Sequence, residues 1–128
     1  MIIKIFINLI LGLLIGCVLE FIYRSIVEKR IVLPKIVNIQ MYGLTGMFLV
    51  VVYYLNIHLI YKILMIFVFP TIVEFLTGYL YLKIRKIYLW NYSNYKLNFM
   101  GLICLRFSVT WFVVSILYYY IILPLTLK

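Results

Sequence analysis

The chain has 128 residues, of which 68% are hydrophobic and 12% charged, with a mean hydropathy of +1.19. That composition leaves too little polar surface to cover a water-soluble globule of this size. At ~20 residues per membrane-spanning helix there is room for about four spans and no additional soluble domain such as an ATPase. The formal net charge of +9 would suit nucleic acid in a soluble protein, but here the bases collect between apolar runs, as one membrane face requires, and nucleic-acid binding is set aside.

In chain order, the apolar runs predict spans over about 5–23, 41–61, 63–82 and 100–123, with Pro124 as the stop of the last. Only Asn56, His58 and Lys62 interrupt the apolar character between the second and third runs, which reads as a tight turn. The runs are too long for barrel strands and do not alternate apolar with polar residues. The expected class is therefore all-α: a polytopic membrane protein with four transmembrane helices in a single domain over 1–128.

Counting bases by link sets the orientation. Arg24, Lys29, Arg30 and Lys35 follow the first span, and Lys83, Arg85, Lys86 and Lys96 follow the third. Lys4, Lys62 and Lys128 fall on the opposite side, so the two basic links are expected to be cytoplasmic and both termini to lie outside. Trp90, Tyr92 and Tyr95 in the second basic link carry rings that favour the headgroup layer. A lipidation reading, in which Leu14-Ile15-Gly16-Cys17 is a lipoprotein cleavage site, would put the Arg24–Lys35 link outside and contradicts this charge bias.

Inside the spans, polar residues carry the functional information. Glu20 and Glu74, two of only three acidic residues, lie within apolar runs, where an ionisable side chain marks a functional site by default. Asn8, Gly12, Gly16, Glu20 and Arg24 recur every four residues along one stripe of the first helix. Small residues such as Gly12 and Gly16 let helix backbones approach closely, because lipid supplies no hydrophobic drive for association. Pro70, Glu74 and Gly78 repeat the spacing in the third span, and Gly101, Cys104, Ser108 and Ser115 form a small-residue stripe in the fourth. Both glutamates sit at similar depths, Glu74 ~13 Å along the helix from Lys83, which makes a shared polar centre the leading expectation. The bland alternative is that each bonds a neighbouring helix, or that Glu20 pairs with Arg24. Arg106 lies nearly opposite its own helix's small-residue stripe; snorkelling to the headgroups accounts for it, and a pair with Glu74 is the sharper reading. His58 stands alone and neither cysteine has ligand spacing, so no metal, no cofactor and no enzyme activity are expected.

Trp90, Asn91, Tyr92, Ser93, Asn98, Gly101, Ile103, Cys104, Ser108 and Trp111 resemble the W-D-Y-S, N-x-x-G-x-I-C, S-x-x-W signature of the bacterial family called putative ABC-transporter type IV. Glu20, Tyr23 and Arg24 are similar to its E-x-x-Y-R, Tyr42 and Gly43 to its Y-G, and Glu74, Thr77 and Gly78 to its E-x-x-T-G segment. The chain departs from the pattern at Asn91 for Asp, Leu102 for Arg, and Gln40-Met41 for Pro-Ile. The resemblance implies a permease-like protein of the bacterial inner membrane that works with a separate ATPase subunit. Four helices hardly enclose a pathway, so a homo-oligomer or further partners are expected within the bilayer. The alternatives are a proton-coupled small multidrug-type exporter, against which the one-sided charge distribution argues, and a non-transporting membrane scaffold.

Overall fold

The computed structural model describes residues 1–127, and its helices are those the apolar runs require: α1 (Ile2–Glu28), α2 (Ile36–Tyr54), α3 (Leu59–Arg85), α4 (Leu105–Leu117) and α5 (Leu123–Thr126). A π-helical segment, Tyr118–Ile122, joins the last two. Counting Leu105–Thr126 as one, four helices are long and apolar enough to cross a membrane. Large apolar side chains such as Phe6, Leu14, Val18, Leu80 and Val113 are exposed along them, the pattern of helices whose outer surface meets lipid rather than water.

The chain divides into two compact units. The first comprises Met1–Leu55 and the stretch from Tyr118, and the second Asn56–Leu117. In the first unit α1 and α2 run antiparallel. Glycines bring them together: a Cβ on Gly12 would lie 2.5 Å from the Tyr42 carbonyl oxygen, and one on Gly46 2.5 Å from that of Asn8. Neither backbone could yield, so these positions exclude any larger residue. The stripe expected from Gly12 and Gly16 is thus the contact face of α1.

Several boundaries differ from the sequence expectation. The second helix begins at Ile36 rather than near 41, because Asn38 belongs inside it, only 5% exposed. It ends at Tyr54, and α3 starts at Leu59, where the His58 ring accepts the Ile60 N–H at 3.2 Å as an N-cap. The fourth span begins at Leu105 rather than 100, because residues 98–104 form a short antiparallel hairpin, β1 (Asn98–Phe99) pairing with β2 (Ile103–Cys104). Gly101 and Cys104 therefore belong to this turn and not to the helical stripe expected of them. Nor does Pro124 stop the last helix. Proline cannot donate to the carbonyl one turn back and its ring crowds that carbonyl; the wider π turn just before it accommodates this, and α5 continues with proline in its first turn.

Candidate functional site

In the second unit the chain leaves α3 at Arg85 and folds back along it, so that residues of the link reach the level of Glu74 and Gly78. Gly78 lies ~10 Å, and Glu74 ~17 Å, along the helix from Arg85. A Cβ on Gly78 would meet the Trp90 ring at 3.1 Å and Leu102 at 3.2 Å. Beyond the headgroup preference expected of their rings, Trp90 and Tyr92 are both used inside the unit.

The link is held by bonds among its own signature residues. The Trp90 indole N–H donates to the Leu102 carbonyl at 2.8 Å, and the Tyr92 N–H donates to the Gly101 carbonyl at 2.8 Å. Asn91 Oδ1 accepts the Ser93 N–H at 2.9 Å and also the Ser93 hydroxyl. An amide oxygen and a carboxylate accept equally well in such a turn, which is why Asn91 can stand where the signature has Asp. Asn98 pins the turn from both ends of its amide: its Nδ2 donates to the Tyr95 carbonyl at 2.8 Å while its Oδ1 accepts the Gly101 N–H at 3.1 Å. Gly101 has φ +71°, and a Cβ there would fall 2.7 Å from Asn91 Oδ1 and 2.9 Å from Ser93 Oγ. Conformation and space both demand glycine.

What this construction delivers is a phenol. The Tyr92 hydroxyl donates to Glu74 Oε2 at 3.1 Å, with its ring stacked on Phe107 at 4.8 Å between centroids. From α4 the Trp111 indole N–H donates to the same Oε2 at 3.0 Å. Glu74 is 3% exposed. Two neutral donors aimed at one oxygen offset part of the cost of holding a carboxyl away from water. Such a group can take up a proton or accept a hydrogen bond from a solute. Ser108, one turn before Trp111, is buried as well.

The first unit places Glu20 differently. It is half-buried and accepts the Tyr42 hydroxyl at 3.1 Å, so its partner is Tyr42 and not Arg24. The Tyr42 ring lies over Gly16, where a Cβ would come within 2.5 Å of it, and Gly43 packs against Leu9 and Leu13. Glu20 and Glu74 belong to different units, each with its own tyrosine. Tyr23 is exposed and Arg24 half-buried near the end of α1. Arg106 is exposed and makes no ion pair with Glu74; its guanidinium lies over the rings of Tyr95 and Phe107 at 5.5 and 5.8 Å. Among the described residues no group of three or more His, Cys, Asp or Glu could hold a metal.

The signature residues thus converge on Glu74 through a specific fold of the link. The family model described as Putative ABC-transporter type IV matches residues 7–128. The chain belongs to this family. As a member with four apolar helices it fits a membrane transporter component, and it is a multi-pass membrane protein. Neither a curated protein nor a solved structure matches the chain. In the sequence Trp111 stands out only as part of a motif and Tyr92 also as a ring for the headgroup layer; their joint service to Glu74 depends on the link folding back. Sequence reasoning missed a second buried cluster, in the first unit, where Asn8 (0% exposed) accepts the Tyr118 hydroxyl at 2.6 Å and the Lys4 ammonium donates to the Leu127 carbonyl at 2.9 Å. A lone Asn in an apolar run signals the first of these residues; nothing local signals Tyr118.

Proposed function

We propose that this protein is the membrane component of a solute transporter in which Glu74 is the polar centre, with Tyr92 and Trp111 as its positioning residues. The observation that carries the reading is a 3%-exposed carboxyl inside an apolar helix, with phenol and indole donors on one oxygen. Intramembrane carboxyls of this kind serve solute or proton passage in membrane proteins generally. Glu20 with Tyr42 is the second polar position, and Arg106 serves at the membrane surface. The basic links face the cytoplasm and both termini face outward, following the distribution of eight bases against three. The protein works as one polytopic domain in a bacterial inner membrane, as a homo-oligomer that encloses the pathway, without enzyme activity of its own. Energy comes from a separate ATPase subunit, as the family description suggests.

The test uses inverted membrane vesicles from cells expressing the wild type or Glu74→Gln at equal protein levels. They are energised with ATP in a cell extract, and the solutes retained are compared by mass spectrometry. At least one solute is expected to accumulate with the wild type and to fall to background with Glu74→Gln. Identical solute profiles would remove the transport assignment, and a purified complex without any ATPase would remove the coupling.

A further inference from the structure

The second unit carries an imbalance of charge that its own residues leave unanswered. Its sole carboxylate is Glu74, which is buried against Tyr92 and Trp111. Lys83, Arg85, Lys86, Lys96 and Arg106 share that unit. No ion pair within the unit engages any of the five. Arg106 is the most unusual of them. It is the second residue of α4, and its Cα lies only ~8 Å nearer the basic links than Trp111, the residue that reaches Glu74. It is exposed, and it lies over Tyr95 and Phe107, which fixes the direction of its guanidinium. An exposed guanidinium in a helix apolar enough to span a membrane keeps hydrogen-bond donors suited to an anion.

Beside it stands an apolar surface that does not belong in water. Leu97, Phe99 and Met100 of the hairpin are 75%, 57% and 51% exposed. Leu97 and Met100 adopt left-handed backbone, with φ of 55° and 57°, which turns the chain sharply at these two apolar residues. The hairpin satisfies much of its own backbone: Leu105 N–H donates to the Leu97 carbonyl at 3.3 Å, Leu102 N–H to that of Phe99 at 3.0 Å, and β1 pairs with β2. Backbone satisfied in this way can enter the acyl boundary at low cost. Lys96 immediately precedes the apolar residues and follows Tyr95, the ring beneath Arg106.

We infer that the hairpin and Arg106 together form a docking site for an anionic phospholipid. The hairpin's Leu97, Phe99 and Met100 sit among the acyl chains, while Arg106 and Lys96 bind the headgroup phosphate. The occupant is a lipid and not a free phosphate, because the apolar residues would otherwise remain exposed to water. Charge complementarity selects an anionic lipid over a zwitterionic one: a unit with five unanswered cations favours a headgroup of net negative charge.

The test is native mass spectrometry of the full-length protein in maltoside, titrated with dioctanoyl phosphatidylglycerol, dioctanoyl phosphatidylcholine or glycerol phosphate. Phosphatidylglycerol is expected to bind most tightly. Arg106→Gln and Lys96→Gln should each weaken it about fivefold, the effect of one cation beside an anionic surface. Leu97→Ser with Phe99→Ser should weaken both lipids, and Lys29→Gln with Arg30→Gln in the first unit should change neither. Equal affinity for the two lipids, unchanged binding by Arg106→Gln, or glycerol phosphate competing as well as phosphatidylglycerol would each overturn the assignment. Should Arg106→Gln fail to fold, Arg106→Lys decides: it keeps the charge and loses the planar fork, and it should bind more weakly than wild type but more tightly than Lys96→Gln in the same protein.

Discussion

Replacing Gly101 with alanine should loosen the whole link and with it the setting of Glu74. At φ +71° an alanine side chain costs about 1–2 kcal/mol in backbone conformation. The added Cβ would also fall 2.7 Å from Asn91 Oδ1 and 2.9 Å from Ser93 Oγ, a collision of the overpacking kind that costs about 1–3 kcal/mol. Because Asn91 and Ser93 are bonded to each other, neither can move without breaking the turn that leads into Tyr92. Together the two effects predict a loss of about 2–5 kcal/mol. The assay is reversible unfolding in mixed dodecyl maltoside and SDS micelles, followed by tryptophan fluorescence, with limited proteolysis at Lys96 as a local readout. Gly101→Asn is the informative control. Asparagine tolerates left-handed backbone, so only the collision should remain, and its loss should be the smaller. If Gly101→Ala stays within about 0.5 kcal/mol of wild type and Lys96 is cut no faster, the link is not held as described.

Three further outcomes follow from the packing. Tyr92→Phe keeps the stack on Phe107 and removes one donor to Glu74; it should cost about 1–2 kcal/mol in the same unfolding assay, and the cost should shrink in a Glu74→Gln background, as a double-mutant cycle would record. Gly12→Ala places a Cβ 2.5 Å from the Tyr42 carbonyl oxygen and should destabilise the α1–α2 pair by about 1–3 kcal/mol; no change in unfolding would contradict the glycine contact. Asn8→Leu leaves the Tyr118 hydroxyl without its buried acceptor and should cost about 1–2 kcal/mol, largely recovered by adding Tyr118→Phe.

The four spans and the glycine face of α1 were legible because they rest on properties that accumulate over many residues: apolar length, and small side chains at a spacing of four. Span ends were harder. Asn38 reads as a link residue by polarity but is buried inside α2, and residues 100–104 read as helix because Gly101 and Cys104 fit its period. What decides the latter is left-handed backbone at Leu97 and Met100, residue types that give no local sign of it. For the same reason Glu74 could be picked out from its cost in hydrocarbon, whereas its donors could not: Tyr92 reaches it only because the link folds back on α3. Arg106 reads from the sequence as a cation inside a span, and its rest on Tyr95 depends on that same fold.

The central claim is that Glu74 is held out of water by the link and α4. A water-soluble carbodiimide with a charged amine nucleophile, applied to the purified protein in micelles and read by peptide mass spectrometry, tests it most directly. Glu28, whose side chain is 40% exposed, serves as the internal reference. The account predicts that Glu28 is modified while Glu74 is spared, and that Glu74 becomes reactive in Gly101→Ala. Modification of Glu74 in the folded wild type as fast as Glu28 would contradict it.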